Sequence, residues 1–339
     1  MAKIDEVARA AGVSISTVSY ALSGKRPVAA ETRRRIEAAV SELGYSPNAG
    51  ARMLAGSRTN IFALSEPLRA DSHAPSHMAF MHAMTVAARR ADYDMLLLTD
   101  EDASAGMSRV AASGLVDAIL CLDVAPDDQR VAIARRSATP TLFIGIPDDH
   151  AGMVCVDLDF EQATRRAVDR LIDAGHRSLG LLGGSRRAYQ RSNFPPRVRR
   201  AAQERAVERR ATLTAHATGD VVTNRDECRR LIRELVATGV TGLVLHAPED
   251  VHQVALAELA ALGLHVPSDV SIVSVGTSFD TGSLSVPLDA LPLVPPRSCD
   301  LAVDLAIDLV SGRPVAPGLH LIAPAYLDRG SVAPRGALP

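Results

Sequence analysis

The chain has no Trp, and aromatic residues make up only 3 % of it. Its four cysteines, Cys121, Cys155, Cys228 and Cys299, stand far apart and form no C-x-x-C pair. That spacing suits neither a zinc site nor a disulfide framework, so reduced, mostly buried thiols are expected, with no metal. No apolar run approaches the roughly 18 residues that cross a bilayer, so no membrane partner is expected. The opening M-A-K-I-D-E-V lacks an apolar stretch before a cleavage site, which points to the cytoplasm.

Enzyme motifs are missing too. There is no G-x-x-x-x-G-K-[ST], no H-E-x-x-H and no G-x-S-x-G. Gly180, Gly183 and Gly184 lack the full dinucleotide fingerprint and read as a strand-to-helix turn. His176 and His246 have no carboxylate or Cys at catalytic or ligand spacing and read as satisfied structural histidines. No catalytic residue and no cofactor are therefore expected.

What is present suits a small head and a larger two-lobed body. The length is 339 residues, and 47 % of them are hydrophobic, enough for several cores. Charge is uneven. The first 58 residues hold nine Lys and Arg against five Asp and Glu, a surplus of four, while the whole chain carries −2; the remainder is thus at −6. A basic head on an acidic body suggests that only the head meets a polyanion.

In the head, Ile4, Val7, Ala8 and Ala11 recur at helical spacing, and Gly12 breaks the helix. Ser14 is placed to cap a second helix, in which Val18 and Leu22 share the inner face. That leaves Ile15, Ser16, Thr17, Ser19 and Tyr20 largely outside. After the loop Gly24-Lys25-Arg26-Pro27, a third helix runs from about Ala30 to Leu43, with Ile36, Val40 and Leu43 inward. Two helices around a short glycine turn, braced by a third, form a helix-turn-helix, whose second helix fits the major groove. A plain three-helix structural bundle is the alternative.

The run I-D-E-V-A-R-A-A-G-V-S-I-S-T-V-S-Y-A-L-S, residues 4–23, resembles the head of the lac repressor / galactose repressor family. So does E-T-R-R-R-I-E-A-A-V-S-E-L-G-Y-S-P-N, residues 31–48. Ala29 stands where that family usually has a capping Ser. The resemblance implies a DNA-binding transcription regulator, a repressor more readily than an activator, acting as a homodimer on pseudo-palindromic double-stranded operator DNA. The base-reading positions are then Ile15, Ser16 and Tyr20. Ser14, Thr17, Ser19, Lys25, Arg26 and Asn48 complete the DNA-contacting set, mainly on phosphates. Residues 48–56 match the family's hinge helix, with Leu54 as a minor-groove wedge and Ala51 one turn earlier; an ordinary linker is the alternative.

Behind the hinge, apolar runs at 61–64, 95–98, 118–122, 141–144, 153–156, 179–182, 243–245 and 271–275 alternate with amphipathic stretches at 79–91, 161–174, 225–238 and 251–262. This pattern argues for parallel sheets covered by helices. L-I-D-A-G-H-R-S-L-G-L-L-G, residues 171–183, and V-P-S-D-V-S-I-V-S-V, residues 266–275, also resemble the family's body. The implied fold is an all-α helix-turn-helix head at 1–46, a hinge at 47–58, and an α/β two-lobed, periplasmic-binding-protein-like body at 59–330. Lobe one covers about 60–157 and 291–325, and lobe two about 158–290.

The resemblance implies a small effector between the lobes, with sugar as the first expectation. The family's Asn-Asp after the strand at 243–245 is here Glu249-Asp250. Its Gly-aromatic-Asp after the late strand is replaced by a stretch around Gly276, with Asp280 the nearest carboxylate. Arg197 is the expected gripping arginine, ahead of Arg199 and Arg200, since guanidinium forks suit vicinal hydroxyls. Phe194, with Phe143 and Phe279, is a stacking candidate. A non-sugar effector, no effector, or a free solute-binding protein are the competing readings.

Overall fold

The computed structural model describes residues 2–23, 26–45, 58–69, 73–100 and 102–335. Two compact units emerge, Met1–Asn60 and Ile61–Pro339.

In the first unit, α1 (Ile4–Ala11) opens with the Lys3 N–H donating to the Glu6 carboxylate at 2.8 Å. It ends at Gly12, whose φ of +65° is a left-handed backbone that side chains resist. α2 (Ile15–Ser23) starts at Ser14, whose Oγ accepts from the Thr17 N–H at 3.1 Å. α3 (Ala30–Glu42) has no side-chain cap at Ala29. Val7, Ala8, Ala11, Val18, Ile36, Ala39 and Tyr45 form the core. The inner face differs from the sequence reading at two places. Leu22 and Leu43 are each 38 % exposed, and Ala39 and Tyr45 fill the space assigned to them.

The second unit contains two parallel sheets. The first has the order β11-β5-β4-β3-β1-β2, from β1 (Ile61–Ser65), β2 (Asp94–Leu98), β3 (Ala118–Cys121), β4 (Thr141–Ile144), β5 (Val154–Leu158) and β11 (Gly318–Ile322). The second runs β10-β9-β8-β6-β7, from β6 (Ser178–Gly183), β7 (Thr212–Ala217), β8 (Gly242–His246), β9 (Ser271–Val275) and β10 (Asp289–Leu291). In-register pairs such as Leu64 with Leu120 and Val244 with Val273 place fully buried apolar residues side by side, as strands covered on both faces require.

Helices complete four cores. α4 (Ala74–Arg90) and α12 (Pro295–Val310) pack on one face of the first sheet, around Phe62, Met84 and Val303. α5 (Ala103–Ser113) and α6 (Arg130–Arg136) cover the other, around Met107 and Phe143. On the second sheet, α7 (Phe160–Asp173) and α9 (Phe194–Glu208), the latter preceded by the short α8 (Arg186–Arg191), lie over Leu181 and Val273. α10 (Arg225–Ala237) and α11 (Glu249–Ala261) lie over Leu245 and Ile272 on the opposite face. The chain passes between the sheets after β5, after β10 and again after β11, so three crossovers join the two sheets. All four cysteines are buried, and burial pushes their thiols up to about 12. Among the described residues no helix is long and apolar enough to cross a membrane.

Candidate functional site

Two surfaces carry side chains beyond what folding needs. The first is the outer face of α2. Val18, fully buried, anchors the helix, which turns Ile15, Ser16 and Tyr20 away from the core; Ile15 is 50 % exposed. Ser14 Oγ lies 2.8 Å from both Ser16 Oγ and Thr17 Oγ1, a small hydroxyl cluster at the helix start. Ser19 is partly exposed. The Arg26 guanidinium sits 5.1 Å from the Tyr20 ring centroid, stiffening a cation beside a hydrogen-bonding phenol. Such an edge presents methyl, hydroxyl and cationic groups, the chemistry that meets base edges and phosphates. Lys25, Asn48, Ala51 and Leu54 lie outside the described residues.

The second is a cavity of about 420 Å³ at the carboxyl ends of the strands of both sheets. Parallel sheets place ligands there because the loops that follow the strands converge. Glu66 follows β1, Asp123 follows β3, Gly145 follows β4 and Gly184 follows β6; Ala247 follows β8 and Gly276 follows β9. The first lobe contributes ionic pairs. Glu66 meets His77, and Arg69 meets Asp123. Burial raises the Glu66 carboxyl against the pull of His77. Burial works to lower His77, but the hydrogen bond and charge of Glu66 prevail and hold it above its ordinary value. Burial also lowers His73, whose Nδ1 lies 2.9 Å from Ser76 Oγ. Ser76 Oγ in turn lies 2.8 Å from Ser278 Oγ, so the two lobes touch across the mouth.

The second lobe contributes an aromatic floor. Phe160 and Phe194 stack at 5.2 Å, and His246 sets its edge against both at 5.9 and 5.6 Å. Gly276 permits this: its φ is +65°, and a Cβ there would stand 2.5 Å from Phe160 Cε1. Behind the floor, Arg197 is held by Asp157 and Glu161.

Of the residues expected from sequence to bind an effector, Phe194 and Asp250 line the cavity, as does Phe279. Arg197, Glu249 and Asp280 do not. Arg197 is consumed by its two carboxylates and by Asn193 Oδ1 at 3.1 Å. Glu249 accepts from Gln253 Nε2 at 3.0 Å along α11. Asp280 caps the short 3₁₀ turn Thr281–Ser283 and pairs with Arg329 at 2.6 Å. Phe143 is wholly buried in the first lobe's core. Glu66, Arg69, His73, His77 and His246 were not singled out from sequence as site residues. The signal was available: Glu66 directly follows β1, and His246 ends β8.

A helix-turn-helix with an exposed polar recognition helix, on a chain that also carries a two-lobed cavity, defines a DNA-binding transcription regulator. The profile described as "Bacterial regulatory proteins, lacI family" matches residues 3–48, and that of the "Periplasmic binding protein-like domain" matches residues 168–332. The chain belongs to the lacI family of bacterial regulatory proteins. It is similar to the transcriptional regulator RafR of Escherichia coli, 33 % identical over 52 % of this chain and 53 % of RafR, so the match spans about half of that relative. It is also similar to the lactose operon repressor of Escherichia coli K12, 28 % identical over 91 % of this chain and 85 % of the repressor. These relatives are transcription regulators, not enzymes. In fold it resembles a lac repressor dimer bound to operator and an anti-inducer (TM-score 0.81, 21 % identity, 98 % of this chain and 99 % of that one). It likewise resembles a CelR–cellobiose complex (TM-score 0.66, 23 % identity, 98 % and 100 %).

Proposed function

We propose that the protein represses transcription by binding a pseudo-palindromic operator as a homodimer, and that a sugar held between its lobes sets the operator affinity. The observation that carries this reading is the cavity itself. It offers an aromatic floor for the flat face of a sugar ring, and paired acids and bases that both donate and accept hydrogen bonds. The complex of its structural neighbour CelR with cellobiose supports the sugar class. Phe194, Asp250 and the Glu66–His77 pair are the contacts assigned to the effector.

In the head, Ile15 meets a thymine methyl or a sugar edge, while Ser16 and Tyr20 hydrogen-bond to bases. Ser14, Thr17, Ser19, Lys25, Arg26 and Asn48 position the head on phosphates. Leu54, with Ala51 a turn earlier, wedges into the minor groove. The effector acts by differential affinity: whichever lobe arrangement it favours changes the population able to hold both half-sites.

The test is selection of duplexes from a random pool with the full chain, followed by release of the selected operator by neutral mono-, di- and trisaccharides. A two-fold symmetric consensus and release by at least one sugar are expected. Binding without sequence preference removes the operator reading, and release by anionic metabolites alone removes the sugar reading.

A further inference from the structure

His246 ends β8 with its ring set edge-on against the stacked Phe160–Phe194 pair, on the cavity wall. Its Nδ1 lies 2.8 Å from the Val275 carbonyl oxygen. A carbonyl only accepts, so the ring proton sits on Nδ1. Burial holds the imidazole below its ordinary value and keeps it neutral. The Nε2 atom is then a bare lone pair. Among the described residues no protein donor meets Nε2, whereas His252 has both ring nitrogens engaged, by Pro248 O and Ser274 Oγ at 3.0 Å each.

We propose that His246 Nε2 is an obligate hydrogen-bond acceptor for the effector, so that the bound molecule presents an O–H donor where its ring meets the Phe160–Phe194 floor. The inference rests on the reading of the cavity as an effector site and adds one recognition rule to it. A ligand hydroxyl satisfies the rule. A carboxylate or phosphate oxygen at the same place sets two acceptors against each other and is rejected. The wall thus discriminates by lone pair rather than by charge, and it does so as long as the imidazole stays neutral. Among the described residues, the ionisable groups that share its cavity are Asp250 of α11, Asp157 at the end of β5, Glu66, Arg69, His73, His77 and Asp123 of the facing lobe, and Arg187 and Arg191 after β6; His252 lies beneath it on α11, and Arg197 and Glu161 lie behind Phe160.

Two measurements on the full-length protein test this. The first needs no ligand: histidine-selective ¹⁵N NMR, in which His246 is expected to show a protonated Nδ1 and a bare Nε2 at neutral pH and to remain so into the acid range. A proton on Nε2, or a cationic ring at neutral pH, overturns the proposal. The second is calorimetric titration with cellobiose, maltose, lactose, melibiose and raffinose. For any sugar that binds the wild type, H246N is expected to bind about tenfold more weakly, because the shorter amide keeps the bond to Val275 and deletes Nε2. H246Q, which can carry a carbonyl to the Nε2 position, is expected to recover part of the loss. Wild-type binding falls in acid as His246 gains its second proton, and that limb is absent from H246N. Affinity of H246N within about twofold of wild type overturns the proposal. Failure of all five sugars to bind the wild type counts against the sugar reading, and the NMR result then decides His246 by itself.

Discussion

Arg197 grips Glu161 with two parallel bonds, Nε to Oε1 at 2.8 Å and Nη2 to Oε2 at 2.7 Å, and turns Nη1 to Asp157 at 2.6 Å. The arginine expected to hold the effector is therefore an internal brace beneath the aromatic floor. Arg197 is 12 % exposed and Asp157 8 %, so removing the cation strands a buried carboxylate. R197M should destabilise the body by about 3 kcal/mol, read from urea unfolding. A variant as stable as wild type would show that the brace is dispensable.

Asp157 makes that brace pH-dependent. Burial, opposed by Arg197, pushes its carboxyl up to about 6 from 3.8. Between these values the folded state binds a proton that the unfolded chain has released. By linkage this contribution is fully present below the unfolded value and is lost as pH rises through the folded one. The size is roughly 3 kcal/mol at most. Asp128, whose carboxyl is lowered by Arg130 against the cost of its burial, works in the opposite sense at lower pH. D157N should therefore flatten the stability profile between about pH 4 and about pH 6 relative to wild type. Equal profiles for the two proteins would refute the assignment.

In the head, Ser14 both caps α2 and anchors the hydroxyl cluster. S14A should cost about 1 kcal/mol of head stability and weaken every operator alike. Thermal unfolding and binding to two unrelated operators check both parts.

Tyr20 and Arg26 touch, but distinct roles are expected of them. Y20A should change the rank order of operator variants, since a base contact is worth roughly 1–3 kcal/mol of discrimination. R26A should weaken all of them and reduce the slope of log affinity against log salt by about one. A preserved rank order in Y20A, or an unchanged slope in R26A, would remove the residue from its role.

F194L retains apolar volume but loses the ring face. It should reduce affinity for a bound sugar by about tenfold while leaving thermal stability close to wild type. Unchanged affinity would place the sugar elsewhere in the cavity.

The head was legible because short helices with a glycine turn and a serine cap announce themselves locally, as Gly12 and Ser14 do. Strands buried on both faces, such as Ala118–Cys121, were equally plain as apolar runs. β7 and β11 were not, for a physical reason. Each is an edge strand: in β7 the water-facing Thr212 and Thr214 interrupt the apolar pattern, and in β11 the polarity is inverted, with the half-buried His320 between the exposed Leu319 and Leu321. α9 begins Phe194-Pro195-Pro196 and then alternates arginines with short alanines, which hides its buried stripe of Val198, Ala201, Ala202 and Ala206. The cavity was legible only in part. Asp250 could be guessed from the resemblance and Phe194 from the scarcity of aromatic residues, but Glu66 and His77 are 11 residues apart and meet only because β1 runs into α4. The pairing of Arg197 with Asp157, 40 residues away at the end of β5, follows from the packing of α9 against α7, the helix that β5 leads into, and from nothing local.

The measurement closest to the centre of this account is the affinity of the full-length protein for its selected duplex, by fluorescence anisotropy, with and without a saccharide that binds the body. Nanomolar-range preference over bulk genomic DNA, weakened about tenfold or more by the saccharide, is the expected result. Equal affinity for all duplexes, unmoved by every sugar, would contradict it.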